Sequence, residues 1–317
     1  MDNENIYEFG EIRKDDIIIA FMGPTGAGKS YFIDLLTGQK GRRAGDTLRS
    51  VTSEIQAIRV RHPQYDDRIV LVDTPGFDDT FRTDMEILGM ISDWLGKTLS
   101  ISLMDVRLSG LIYLHRITDN RMAGSPLKNL RMFGKLCGDT AAFRVILVST
   151  MWEKVKQEVG EARQKQLEGM FWKDLIEKGS NVDRLERSDT GEAWRIVEKM
   201  IVMDQEREKV LLQEEIVDLK LHLNETEAGK TLYTSLQKLL ADQKETLKSL
   251  LAQVDKSNDQ RLKKELQKEY KKIQDQFQKT FDEVDRLKIP LSRRIMVLLF
   301  GKRSRAKAIN VAADVRN

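Results

Sequence analysis

The chain has 317 residues, 32% of them charged and 7% aromatic, with a formal net charge of +3. That length accommodates one full α/β domain plus a further region, and the composition leans towards helix-rich, solvated structure. The near-balanced charge argues neither for nor against nucleic acid, the single cysteine, Cys137, excludes an intramolecular disulfide, and no run reaches the roughly 18 apolar residues of a membrane span.

The first segment, MDNENIYEFGEIRKDD, is polar and acidic and does not read as a secretory leader. With the lone Cys137, which reads as a small buried residue at a helix end, it leads us to expect a reducing, cytoplasmic setting. Short apolar runs then alternate with helical patterns. The runs are Ile17–Met22, Ile55–Val60, Ile69–Val72, Gly110–Leu114 and Val145–Val148. Such alternation predicts a mostly parallel sheet covered by helices. The turn-rich RHPQYDD, Arg61–Asp67, predicts one antiparallel hairpin within it.

The strand IIIAFM runs into GPTGAGKS, Gly23–Ser30, which satisfies Gly-x-x-x-x-Gly-Lys-Ser/Thr and is followed by the helical SYFIDLLTG. Gly23, Gly26 and Gly28 let the backbone turn its N–H groups towards a phosphate chain, and the helix adds its positive end. The candidate phosphate-contacting residues are Gly23, Pro24, Thr25, Gly26, Ala27, Gly28, Lys29, Ser30 and Tyr31. Lys29 is placed to reach β- and γ-phosphates, and Ser30 to ligate Mg2+. GDTLRSVTSEIQ offers Thr47 and Thr52 as a further Mg2+ ligand and γ-phosphate sensor; Thr52 is favoured because it directly precedes a strand, and a turn-capping role is the alternative for both.

LVDTPG, Leu71–Gly76, ends a strand on Asp73 and continues as Asp-x-x-Gly. Asp73 belongs near the metal, and the Gly76 N–H near a γ-phosphate, so the loop after it senses hydrolysis. Many switch GTPases orient the attacking water with a glutamine next to that glycine; here the position is Phe77, which predicts slow turnover. Past the fourth apolar strand comes LHRIT, with His115 read as a packed histidine and Arg116 on the ligand side of the sheet. Beyond VILV lies Thr150-Met151-Trp152-Glu153, in the register where a guanine-reading Asn/Thr-Lys-x-Asp is expected. Glu153 takes the aspartate place and Met151 the lysine place, while Trp152 either stacks on the base or packs in the core, the second being preferred. SDTGEAW, Ser188–Trp194, lies between a possible strand at Val182–Glu186 and a helix from Glu192; it reads as a base-side loop or an ordinary capping turn.

Together GPTGAGKS, SVTSE, VDTPGFDDT, LHRIT and FGKLCGDTAAFRVILVSTMW resemble septin-like GTPases. Within these, the resemblance is to the immunity-associated (GIMAP-like, AIG-type) and chloroplast-import branch and its fungal G-domain proteins, over about Asp15 to Met203. It implies a Ras-like α/β P-loop GTPase domain that binds GTP/GDP with Mg2+ and forms a homodimer through its G domains. It also implies guanine contacts from Thr150, Met151, Trp152 and Glu153. Metal contacts would come from Ser30, Thr52 and Asp73, and catalytic roles would fall to Lys29, Thr52, Gly76 and Arg116. Arg116 matches the arginine of the family's box, either as a finger reaching a partner's phosphates or as a surface salt bridge. The reading is a slow GTPase switch; the alternatives are a nucleotide-dependent scaffold that barely hydrolyses and a P-loop ATPase.

The pattern changes near Met203, giving a G domain at 1–203, a helical or coiled-coil region at 204–289 and a tail at 290–317. Two apolar stripes mark the helices: Leu212, Ile216, Leu219 and Leu223, then Leu266, Tyr270, Ile273, Phe277, Phe281, Val284 and Leu287. Gly229 is a candidate break. The mixed charges of LQKEYKKIQDQFQKTF fit a solvated face open to protein partners, not a nucleic-acid surface. Residues 286–307 are basic around Ile295–Phe300 and either dock on the protein or contact an anionic membrane at its surface.

Overall fold

A computed structural model describes residues 6–7, 12–13, 15–39, 55–77, 83–100, 108–122, 125–139, 141–202, 215, 221–256 and 260–286. Thr47, Thr52, the first apolar stripe up to Leu219 and the basic tail lie outside these residues.

Among the described residues, seven strands form one sheet in the order β1-β3-β4-β2-β5-β6-β7. They are β1 (Ile6–Tyr7), β2 (Ile17–Met22), β3 (Gln56–His62), β4 (Asp66–Asp73), β5 (Gly110–Arg116), β6 (Val145–Thr150) and β7 (Asn181–Arg184). The central β2 runs parallel to β4 and β5, and β6 is parallel to β5 and β7. Every residue of β2 and of β6 is buried, as expected of parallel strands covered on both faces. The hairpin expected at Arg61–Asp67 joins β3 and β4 antiparallel, with Asp66 in the left-handed region at φ 50°. The two-residue β1 adds an antiparallel edge on β3 that no apolar run announced.

Among the described residues, six helices belong to this first unit: α1 (Lys29–Thr37), α2 (Asp84–Ser100), α3 (Ser125–Cys137), α4 (Gln157–Gln166), α5 (Lys173–Glu177) and α6 (Thr190–Val202). A capping box starts α2: the Glu86 N–H donates to Thr83 Oγ1 (3.2 Å) and the Thr83 N–H to Glu86 Oε2 (2.9 Å). Cys137 is buried at the end of α3, where burial pushes its thiol pKa up. One polar group crosses the base of the sheet. Asp16, fully buried before β2, accepts from Arg59 Nη2 of β3 at 2.8 Å and from the Arg13 N–H at 2.7 Å, and Arg59 Nη1 also donates to the Asp67 carbonyl at 2.8 Å. This is the architecture of a Ras-like GTPase domain, and a helical region follows it.

The second compact unit begins at His222. It contains α7 (Glu227–Lys256) and α8 (Gln260–Arg286), which pack against one another. Gly229 does not break the helical region. It sits in the first turn of α7, where a Cβ would lie 1.9 Å from the Leu223 carbonyl oxygen, so the helix can start only if this residue has no side chain. Among the described residues, no helix is long and apolar enough to cross a membrane.

Candidate functional site

The carboxyl ends of β2, β4, β5 and β6 carry the candidate site. Gly23 leaves β2 at φ +139°, and a Cβ there would lie 2.3 Å from the Leu114 carbonyl oxygen of β5. Only glycine lets the loop cross the neighbouring strand so closely. Gly26 and Gly28 also hold positive φ, and Gly28, with no side chain, precedes the first turn of α1. The opening amides of that helix are thus left for an anion. Lys29 is buried, and its Nζ curls back to donate to the Gly23 carbonyl (3.0 Å) and the Pro24 carbonyl (3.1 Å). The lysine fixes the loop's curl and brings a positive charge into it. Tyr31, in the first turn of α1, is exposed.

Ser30 Oγ donates to Asp73 Oδ2 at 2.7 Å. A hydroxyl and a carboxylate, both hard oxygen donors, therefore meet at the mouth of an amide-lined turn, and that donor set fits Mg2+. Beyond Asp73, Gly76 and Phe77 press onto the phosphate loop. The Thr25 N–H donates to the Phe77 carbonyl (3.1 Å), and Thr25 Oγ1 donates to the Gly76 carbonyl (3.2 Å). A Cβ on Gly76 would lie 2.5 Å from the Thr25 nitrogen, so this contact requires glycine. Phe77 is buried at 2% exposure. The sequence reading gave Gly76 a γ-phosphate contact but missed Thr25 as the residue that binds the two loops together.

Thr150 ends β6 with its hydroxyl donating to the Ala27 carbonyl at 2.9 Å. It clamps the strand end to the phosphate loop. Met151 adopts the left-handed region at φ 64°, uncommon for a residue with a side chain and most frequent at turns and functional sites. Glu153 is exposed in the following 3-10 turn. Trp152 packs in the core, the role preferred for it over stacking on a base. Its ring is buried, its Nε1–H donates to Ser149 Oγ (2.9 Å), Arg184 stacks at 4.7 Å, and a Cβ on Gly160 would meet the ring at 2.7 Å. The indole anchors the β6–α4 connection. In SDTGEAW, Asp189 Oδ1 accepts from the Glu192 N–H at 2.8 Å, an ordinary cap for α6.

Arg116 lies at the end of β5 with its Nη1 only 3.1 Å from where a Cβ of Gly26 would be. Its Nε forms an ion pair with Asp119 Oδ1 at 3.0 Å. The guanidinium thus rests over the phosphate loop of its own chain, tethered by a residue that sequence reading passed over. The signal was present as an i, i+3 pair in RITD. His115 is buried beneath, edge-on to Trp172 at 6.3 Å. Burial lowers its pKa from 6.5 to about 4; the Asp119 charge acts to raise it and Arg116 to lower it. Because the folded pKa lies below the unfolded one, the unfolded chain binds the extra proton first. Stability is therefore fully present above about pH 6.5 and falls as pH drops towards about 4, by roughly 2–3 kcal/mol from this residue. Urea unfolding at pH 7 and pH 4.5 measures that loss, and His115→Phe removes it.

Residues 18–120 match the family model described as 50S ribosome-binding GTPase. The match takes in the glycine loop, Asp73 and Gly76, and makes residues 18–120 similar to a P-loop GTPase domain. Among solved structures, the chain is similar to Toc33 from Arabidopsis thaliana in complex with Mg2+ and GMPPNP, at 15% identity and TM-score 0.45, covering 62% of this chain and 88% of that one. A bacterial selenocysteine-specific elongation factor, EF-Sec, is similar at 18% identity and TM-score 0.38, over 59% of this chain and 28% of that one. A variant of Era from Aquifex aeolicus bound to GDP and AlF4- is similar at 14% identity and TM-score 0.42, over 61% and 58%. No curated protein matches the chain.

Proposed function

We propose that the N-terminal domain binds GTP and GDP with Mg2+ and hydrolyses GTP slowly, as a switch that governs assembly of the chain through its G domains. The observation that carries this reading is the junction of three segments at one point: Lys29 inside the glycine loop, Ser30 on Asp73, and Thr25 on Gly76 and Phe77. Backbone amides of Gly26 to Ser30 hold the β-phosphate, and Lys29 turns from the loop carbonyls towards the β- and γ-oxygens. Ser30 and Asp73, with Thr52, hold magnesium, whose role when bound is to neutralise charge on those oxygens. The Gly76 N–H donates to a γ-phosphate while Thr25 holds the carbonyls of the same Gly76–Phe77 segment, so presence or loss of that phosphate shifts the segment. This is the switch.

Water attacks the γ-phosphorus while the bond to the β-γ bridging oxygen breaks. Phe77 is buried and orients no water, which supports slow turnover and also favours the second reading, a nucleotide-dependent scaffold. Arg116, already above Gly26, supplies charge to the phosphates of its own chain or, across a homodimer, of a partner. Such an arginine is worth roughly 10³–10⁵ in rate. Met151 and Glu153 are the guanine-facing residues, and the septin-like, immunity-associated branch is the subfamily that the sequence motifs support. We place the protein in a reducing, cytoplasmic compartment, with α7 and α8 as the surface for protein partners.

Single-turnover hydrolysis of GTP, run at several protein concentrations, tests the proposal. Slow phosphate release that accelerates with concentration and collapses in Arg116→Ala is the expected result. A concentration-independent rate that Arg116→Ala still lowers assigns the arginine to its own chain. Tight binding with no release favours the scaffold.

A further inference from the structure

We propose that the cavity between the loop after β5 and helix α4 is a second binding site, for a small organic anion that carries a phosphate or carboxylate on an apolar body. The cavity has a volume of about 590 Å³, within the range of pockets that hold small molecules. It shares Arg116, with its tether Asp119 and the underlying His115, with the phosphate-loop site described above, and adds Arg121, Arg163 and an apolar wall.

Its walls define the ligand. Arg116, Arg121 and Arg163 bring three guanidinium groups to the lining, against the single carboxylate of Asp119. Arg116 is paired with Asp119. Arg163 donates to the Ile117 carbonyl (2.8 Å) and to Asn120 Oδ1, both neutral acceptors, so its charge is held in place but not cancelled. Arg121 is exposed and makes no ion pair among the described residues. Among the described residues, two positive charges therefore have no carboxylate partner around one hollow, which suits an anion. The opposite wall is apolar: Ile117, Leu167 and Phe171. That wall gives an aromatic or aliphatic body somewhere to bury itself.

A second feature points the same way. His115 lines the cavity at 3% exposure, and its Nδ1 has no hydrogen-bond partner among the described residues. Asp119 Oδ2 is enclosed and equally without one. A buried polar atom left unpaired costs about 1–3 kcal/mol; as an N–H, His115 Nδ1 can donate to a bound anion, whereas Asp119 Oδ2 only accepts and is held in check by its Arg116 partner.

Calorimetric titration with phenyl phosphate, phenylacetate and inorganic phosphate tests the assignment. It uses the full chain saturated with GDP and Mg2+ and, separately, the Lys29→Ala/Ser30→Ala double variant. The second arm reads the cavity even if the nucleotide proposal is wrong. We expect at least one aromatic anion to bind with a stoichiometry of one in both arms, and which one binds separates phosphate from carboxylate chemistry. We expect it to bind at least tenfold more tightly than inorganic phosphate. Arg121→Gln should weaken it roughly tenfold, the effect of removing one charged contact. Gln166→Trp, an exposed lining position, should block the mouth and abolish binding with circular dichroism unchanged. The proposal is overturned if neither aromatic anion binds in either arm, if inorganic phosphate binds as tightly, or if binding survives both Arg121→Gln and Gln166→Trp.

Discussion

Lys29→Ala should lower affinity for Mg2+·GTP by about 10²–10⁴-fold. Nζ sits inside the curl of the loop, within 3.0 and 3.1 Å of the Gly23 and Pro24 carbonyls. A bound nucleotide exchanges at least two charge-assisted contacts with that ammonium, each worth about 1.5–3 kcal/mol. Lys29→Arg is the sharper comparison. If position matters as much as charge, the planar guanidinium cannot follow the ammonium into the curl, and arginine fails to rescue. Titration with a fluorescent GTP analogue reads both variants. Full rescue by arginine would mean that the residue acts only as a distant charge.

Asp16→Ala should destabilise the domain by about 3–5 kcal/mol, the cost of stranding one member of a buried ion pair. Asp16 is 0% and Arg59 3% exposed, so the guanidinium would keep the Asp67 carbonyl but lose its counter-charge. For a domain of this size the melting temperature should fall by roughly 10 °C. Thermal unfolding followed by circular dichroism measures it. A fall of less than about 3 °C would show that water reaches the pair. The site's chemistry lies at the opposite end of the strands, so surviving folded protein should still bind nucleotide.

The sheet was legible because its central strands are buried on both faces and read as unbroken apolar runs. Ile17–Met22 is the same in sequence and structure; Ile69–Val72, Gly110–Leu114 and Val145–Val148 lengthen by one to three residues at one or both ends as polar residues join the ladder, and Ile55–Val60 shifts to Gln56–His62. The edge strand Ile6–Tyr7 is too short to carry a pattern. The phosphate loop was legible because its glycines answer local demands: a close crossing at Leu114 and positive φ. Trp152 was ambiguous because an aromatic at a strand end serves a base or a core equally well in sequence. Its Ser149 and Gly160 neighbours decide for the core. The clamp by Thr150 and the latch by Thr25 were invisible, since each pairs residues far apart in the chain. So was the cavity, whose walls come from 115–122 and 163–171 and meet only through packing.

Calorimetry with GTP, GDP and ATP, each with and without Mg2+, addresses the loop around Lys29 most directly. The expected outcome is magnesium-dependent binding of GTP, retained binding of GDP and much weaker binding of ATP. No magnesium-dependent affinity for any purine triphosphate, or affinity unchanged in the Lys29→Ala/Ser30→Ala variant, would contradict the proposed nucleotide site.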